Sequence, residues 1–256
     1  EELPDKLVGI TRIHLEEDVA KSTHLAGCSG IDFNRAGAPL MEIVSEPDIS
    51  SADEAHAYLT ALKQIMRYAG ISDCDMEKGQ LRCDVNISLK PAGSKTFGTK
   101  IELKNLNSFR AVHRAINHEI ERQAEILDAG GSLEQETRGW NDDLGRTYLM
   151  RKKESAHDYR YFPEPDMLPF VFSKADIDAA RTKIPELPEA RRDRFVRDLG
   201  LTPYDAQVLT AEKDYADYFE KAAAKTAAPK LAANWIISEL LREIADSGES
   251  MAQCKI

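Results

Sequence analysis

Two stretches of the chain place acids, cations and amides at spacings that suit phosphate and metal chemistry. In Leu81-Arg82-Cys83-Asp84-Val85-Asn86-Ile87-Ser88-Leu89 apolar and polar residues alternate strictly. Strand side chains point alternately to opposite faces, so Arg82, Asp84 and Asn86 share one face while Cys83, Val85 and Ile87 share the other. Thr99 to Lys104 repeats the pattern, with Ile101 and Leu103 on one side and Lys100, Glu102 and Lys104 on the other. Paired as neighbours, the two segments would gather cations, carboxylates and an amide on one wall. Alternation alone fits a sheet with one solvated face equally well. The short or rigid groups Arg82, Asp84 and Asn86 tilt the reading towards fixed recognition.

Glu16-Glu17-Asp18 follows a segment rich in β-branched residues, and an oxygen-only cluster of this kind favours Mg²⁺ or Mn²⁺ over zinc. Acidic triplets are more often exposed turns, and His14 beside this one reads as an ordinary strand histidine. Asp158-Tyr-Arg-Tyr-Phe-Pro-Glu-Pro-Asp166 is bounded by prolines and must be a loop or edge strand. There Tyr159 and Phe162 read as buried anchors and Arg160 as the functional candidate. The chain contains no Gly-x-Ser-x-Gly elbow, phosphate-binding Gly-Lys-Ser/Thr loop, dinucleotide-type Gly-x-Gly-x-x-Gly turn or His-Glu-x-x-His pair. The residues themselves lead to a metal-assisted site handling phosphate on an antiparallel sheet, and no further.

The elements that must position these groups can be read from periodicity. The chain has 256 residues, 42% hydrophobic and 30% charged, which is a globular composition. Apolar runs such as Trp235-Ile-Ile237 fall far short of the roughly 20 residues of a membrane-spanning helix. A net charge of −10 opposes indiscriminate binding to polyanions, although Arg146, Arg151, Lys152, Lys153 and Arg160 form a local basic stretch. Cysteines 28, 74, 83 and 254 lack metal-ligand spacing, and a reducing cytoplasm is expected. The start at Glu1, without Met or a secretory signal, points to a fragment.

Leu7–Glu16 and Ala38–Val44 read as strands that could pair antiparallel across a glycine-bearing loop. Ser51-Ala-Asp-Glu54 is a capping box opening a helix with apolar positions 55, 59, 62, 65 and 66, stopped by Gly70. Leu81–Leu89 and Thr99–Lys104 form an antiparallel pair, and Asn107 or Ser108 caps a second helix whose stripe is Val112, Ile116, Ile120, Ala124 and Leu127, its charged face wet. Near Ile184-Pro-Glu-Leu-Pro188 the pattern becomes helical only, with helices over Glu189–Leu199, Ala206–Glu212, Tyr215–Thr226 and Leu231–Asp246. The alanines among them suggest a loosely cored, less stable part. The expected fold is α+β, with a sheet domain over residues 1–183 and an all-α domain over 184–256.

Six ordered motifs carry a family resemblance. They are Gly9-Ile-Thr-Arg-Ile-His-Leu-Glu-Glu-Asp18 with Lys21-Ser-Thr-His24, Phe33-Asn-Arg-Ala-Gly37, Pro39-Leu-Met-Glu-Ile-Val-Ser-Glu-Pro-Asp48, Leu81–Ser88, Glu102-Leu-Lys-Asn-Leu-Asn-Ser-Phe109 and Asp158–Asp166. Together they closely resemble the B subunit of the aspartyl/glutamyl-tRNA amidotransferase. The resemblance implies a cradle-shaped catalytic domain related to glutamine synthetase, then a helical domain that contacts tRNA. It implies a carbon–nitrogen ligase that uses ATP and Mg²⁺ to phosphorylate the side-chain carboxylate of Glu-tRNA(Gln) or Asp-tRNA(Asn). Ammonia from glutamine would arrive through the glutaminase A subunit, with the small C subunit completing a heterotrimer.

By motif position, Glu17, with Glu16 beside it, and Glu102 resemble metal ligands, while Arg82, Lys104 and Arg160 would steady phosphates and Asp84, Asn86, Asn105 and Asn107 would position them. Family members also carry an earlier strand with a Glu and a His resembling further ligands, and a C-terminal tail domain. Both are missing here, so the chain alone is expected to be inactive. Two other readings compete: a non-catalytic tRNA-binding scaffold, and a ligase acting on free glutamate.

Overall fold

The computed structural model describes residues 5–152, 170–248 and 250–253. The chain divides between Tyr58 and Leu59 into two compact units. The first contains β1 (Ile10–Glu17), β2 (Lys21–Leu25), β3 (Cys28–Asp32) and β4 (Pro39–Ser45). The expected ribbon is present, with β1 antiparallel to β4. The loop between them holds a hairpin, β2 against β3, that the sequence reading missed. Its Ala26-Gly27 turn requires the left-handed conformation that Gly27 adopts at φ 83°.

Helix α1 (Ala52–Tyr68) starts in this unit. Ser51 Oγ accepts from the Glu54 amide at 3.1 Å, while the Glu54 carboxylate reaches past Ser51 to the Ser50 N–H at 2.6 Å and to Lys6 at 2.7 Å. The expected box is therefore made with its return bond displaced by one residue. The helix stops where Gly70 turns left-handed and the Ile71 amide closes back on the Met66 carbonyl at 3.0 Å.

The second unit carries a four-stranded sheet in the order β5 (Cys83–Ile87), β6 (Ile101–Leu106), β7 (Glu136–Asn141) and β8 (Arg146–Lys152). The β5–β6 pair is antiparallel as expected, but β7 runs parallel to β6, so this sheet is mixed rather than wholly antiparallel. The cause is α2 (Phe109–Asp128), which returns the chain along the sheet so that β7 starts from the same end as β6. Ser108 caps α2, accepting from the Ala111 amide at 2.9 Å.

The buried face of α2 begins as read, with Ala111, Val112, Ala115 and Ile116, and then continues through Glu119 and Gln123 while Leu127 is 40% exposed. The charged side of the helix is thus not all wet. The layer facing its second half carries Arg138 and Thr147, and fully buried Glu119 answers them: Thr147 Oγ1 donates to it at 3.1 Å, Arg122 Nε at 3.0 Å, and Arg138 Nε lies 3.7 Å away. Glu136 completes the network, accepting from Arg138 Nη1 at 2.9 Å.

Beyond the sheet lie α3 (Lys174–Arg181), α4 (Pro188–Leu199), α5 (Pro203–Thr210), α6 (Lys213–Ala223), α7 (Pro229–Trp235) and α8 (Leu241–Ser247). A π turn at Ile236–Leu240 joins the last two within what the sequence shows as one helix. Of the alanines behind the expectation of a loose core, Ala222 and Ala223 are half-buried and Ala224, Ala227 and Ala228 exposed, while a closed core forms on other residues. Phe195 and Phe219 meet edge to face at 5.0 Å between centroids, and Ala206, Leu209, Ala216 and Ala233 around them are completely buried. Ala206, Ala216 and Ala233 mark places where helices approach closely. Tyr68 of α1 joins this region, its hydroxyl donating to the Thr210 carbonyl at 2.8 Å, and burial pushes its pKa up to about 12.

Candidate active site

On the sheet face opposite α2, four strands contribute polar side chains. The β5–β6 register pairs Cys83 with Leu106 and Val85 with Leu103, leaving Lys104 and Asn105 together opposite Asp84. This β-bulge depends on Asn105, whose φ of 63° lies in the left-handed region that asparagine tolerates better than most residues. It sets Lys104 and Asn105 outward in succession and returns Leu106 to the core, 4% exposed.

Lys104 Nζ forms an ion pair with Asp84 and lies 3.3 Å from Glu102 Oε1. Thr137 Oγ1 donates to the other Glu102 oxygen at 2.8 Å, and Arg151 Nε reaches Thr137 Oγ1 at 3.5 Å. Asn105 Nδ2 donates to the Tyr148 hydroxyl at 2.9 Å. Partial burial works against the charge on Lys104, but hydrogen bonding and attraction from Asp84, with Glu102 behind it, outweigh that cost and hold its pKa above the ordinary lysine value. The result is a cation that stays charged at neutral pH, flanked by two carboxylates, one of which also accepts from the Thr137 hydroxyl.

The structure therefore brings Asp84, Glu102, Lys104 and Asn105 together. Asn86 stands across from Glu102 in the strand pairing, and Arg82 is exposed just before β5. Asn107 is exposed in the turn leading to α2. Arg160, with Tyr159 and Phe162, lies outside the described residues. Thr137, Tyr148 and Arg151 escaped the sequence reading as members of this group. Only Arg151 left a signal, as part of the basic stretch; Thr137 sits in a strand that is polar on both faces, which hides its period.

In the first unit the acidic triplet does not act as one set. Asp18 is 8% exposed and serves the backbone and Arg35: its Oδ2 accepts from Arg35 Nε at 2.7 Å and its Oδ1 from the Val19 amide at 3.0 Å. Strand alternation turns Glu17 to the face of Ile13 and Leu15, and Glu16 to the opposite face with His14. There His14, paired across the ribbon with Glu42, stands 3.3 Å from Glu16, and ligand atoms of His14, Glu16 and Glu42 all fall within 4.8 Å of one another. The two carboxylates suit Mg²⁺ or Mn²⁺, while the imidazole nitrogen favours a borderline ion, so the set as a whole fits Mn²⁺ better than Mg²⁺. Glu42 was missed, although a lone acid among Leu40, Met41, Ile43 and Val44 is a legible signal of a strand face with a task.

Residues 1–178 match the family described as the GatB/GatE catalytic domain. Similar proteins, each named as the B subunit of aspartyl/glutamyl-tRNA(Asn/Gln) amidotransferase, come from Carboxydothermus hydrogenoformans at 52% identity and Geobacter sulfurreducens at 53%, each alignment covering 98% of this chain and 53% of the relative. The protein of that name from Persephonella marina is 56% identical over 94% of this chain and 51% of its own length. The chain spans about half the length of the curated relatives it matches. With the match extending over most of its residues, this chain belongs to the GatB/GatE catalytic domain family.

Proposed function

We propose that this chain is the catalytic part of the B subunit of a tRNA-dependent amidotransferase, and that the polar sheet face around Lys104 activates a carboxylate by phosphorylation. The substrate is the side-chain carboxylate of Glu-tRNA(Gln) or Asp-tRNA(Asn), and ATP is the phosphoryl donor. A carboxylate is a poor acyl donor until one of its oxygens leaves as phosphate. Ammonia then attacks the acyl phosphate, the carbon–oxygen bond to phosphate breaks and the amide forms. The glutaminase A subunit supplies the ammonia, and the small C subunit completes the assembly.

The observation that carries this reading is the Asp84–Lys104–Glu102 row, a held cation between carboxylates on an open sheet face. Lys104 neutralises charge on the phosphate oxygens, Asp84 fixes the ammonium, and Asn86, Asn105 and Asn107 offer amides to the nucleotide or the acyl phosphate. Arg82 and Arg160 add guanidinium groups for the same oxygens. Glu16, Glu17 and Glu102 remain the proposed metal ligands, and the His14–Glu16–Glu42 cluster gives Glu16 a ready donor set. Bound Mg²⁺ would supply charge neutralisation on the nucleotide. The sheet part over residues 1–183 is read as a cradle of the glutamine synthetase type and residues 184–256 as a helical tRNA-contacting domain.

The test is ATP turnover by the full-length protein assembled with its partner proteins and given charged tRNA. Stimulation by Glu-tRNA(Gln) or Asp-tRNA(Asn) and its loss in Lys104→Met support the reading. Stimulation by free glutamate instead, or tRNA binding without any ATP dependence, refutes it. On the same reading, the chain of 256 residues alone does not amidate charged tRNA, and detectable amidation by it would overturn that part.

A further inference from the structure

Tyr148 belongs to β8, yet its ring crosses the polar face towards β6. A Cβ placed on Gly139 would run into Tyr148 Cζ and lie 2.5 Å from its hydroxyl, so the phenol end occupies the space above Gly139. Gly139 is the β7 residue registered with Lys104. Glycine inside a strand weakens it, and one reason to keep it there is the close approach of another group. At the far side of this crossing, the bulged Asn105 donates its amide to the Tyr148 oxygen at 2.9 Å. Three uncommon choices thus converge on one hydroxyl: a glycine in mid-strand, an asparagine at positive φ, and a tyrosine left 41% exposed.

The direction of that hydrogen bond matters. The Tyr148 oxygen is the acceptor, so its own proton remains to be donated, and no acceptor for it is found among the described residues. A hydroxyl that accepts one bond is polarised into a better donor for the next. It lies over Gly139, the residue registered with Lys104, on the face whose cation marks a place for negative oxygen.

We propose that Tyr148 is a substrate-contacting residue, held by Gly139 and Asn105 so that its hydroxyl donates to a phosphoryl oxygen lying against Lys104. The inference rests on the reading of this face as the phosphoryl-transfer site and adds a residue to it. The phosphoryl oxygen could belong to ATP or to the tRNA backbone, and both present the same acceptor. A purely structural account also exists, since an aromatic ring covering a glycine stabilises a sheet without any ligand. Tyr148→Phe separates the two, because it keeps the ring over Gly139 and removes only the hydroxyl, with the exposed Asn105 amide left to water.

The experiment uses the full-length protein in its complex. Tyr148→Phe is expected to unfold at the wild-type temperature and to lose roughly ten- to hundredfold in kcat/KM, the effect of one hydrogen bond to a charged acceptor. A rise confined to the KM for ATP assigns the oxygen to the nucleotide, and a rise confined to the KM for charged tRNA assigns it to the nucleic acid. Gly139→Ala, which displaces the ring, should reproduce the loss. Unchanged kinetics in Tyr148→Phe overturn the proposal. Lys104→Met, measured alongside, keeps the failures apart: if it too is silent, the reading of the whole face has failed, and if it alone is damaged, only the role of Tyr148 has.

Discussion

Thr137 on β7 holds one oxygen of Glu102 on β6 at 2.8 Å while the other oxygen lies 3.3 Å from Lys104. The carboxylate is fixed at both ends by neighbours from different parts of the chain. Its orientation therefore depends on the parallel pairing that brings Thr137 alongside it.

Removing that carboxylate should abolish the chemistry without unfolding the sheet. Glu102→Ala in the complete enzyme is expected to lose Mg²⁺-dependent ATP turnover while its circular dichroism spectrum stays unchanged. Normal turnover would exclude Glu102 from metal binding.

Thr137→Val keeps the shape of the side chain and deletes its hydroxyl. The loss of one neutral donor to Glu102 should cost about 1 kcal/mol, seen as a several-fold fall in kcat. Steady-state kinetics of the full-length variant would check it, and wild-type kcat would show that Glu102 needs no help from Thr137.

The Cys83 thiol is pushed up to about 11 by burial, with the charge of adjacent Asp84 adding to the effect. At pH 8 an alkylating reagent should modify the exposed Cys28 and spare Cys83 in the folded protein, and peptide mass spectrometry would show it. Because the folded state holds this proton more tightly than the unfolded state, the contribution to stability is complete below the thiol's unfolded pKa of about 8.5 and fades as pH rises towards 11. Rapid labelling of Cys83 at pH 8 would contradict its burial.

Glu119 is completely buried between arginines and a threonine. Glu119→Ala leaves Arg138 and Arg122 with Glu136 alone and the Thr147 hydroxyl without this acceptor, and a loss of about 1–3 kcal/mol in urea unfolding is expected. A loss under 1 kcal/mol would mean that water replaces the carboxylate.

Local pattern carried the sequence reading a long way where one face was apolar. The β1–β4 ribbon, α1, the β5–β6 pair and most of the helical part are legible because alternation or helical spacing is clean there. Reading failed where polar groups satisfy one another inside. β7 bears Glu136 and Arg138 towards α2 and Thr137 towards the site, so neither face looks like a core. The grouping of Glu102, Lys104 and Asp84 could be anticipated from two alternating strands, whereas the reach of Tyr148 over Gly139 depends on a registry between distant segments that no local pattern announces. The acidic triplet is divided for a simpler reason, since on the regularly paired end of β1 neighbouring residues alternate between faces.

The extra residue in β6 also keeps two layers in phase. Were Asn105 to give up its left-handed backbone and continue the strand regularly, everything after it would rotate by one step of the pleat, turning Leu106 to solvent and moving the Ser108 cap. The α2 helix would then present a different side to the sheet, and the acid at its middle would swing away from its guanidinium partners. One amino acid thus synchronises the wet surface of the sheet with the dry layer behind it, so a replacement that forbids this backbone, such as Asn105→Val, should be felt on both sides at once.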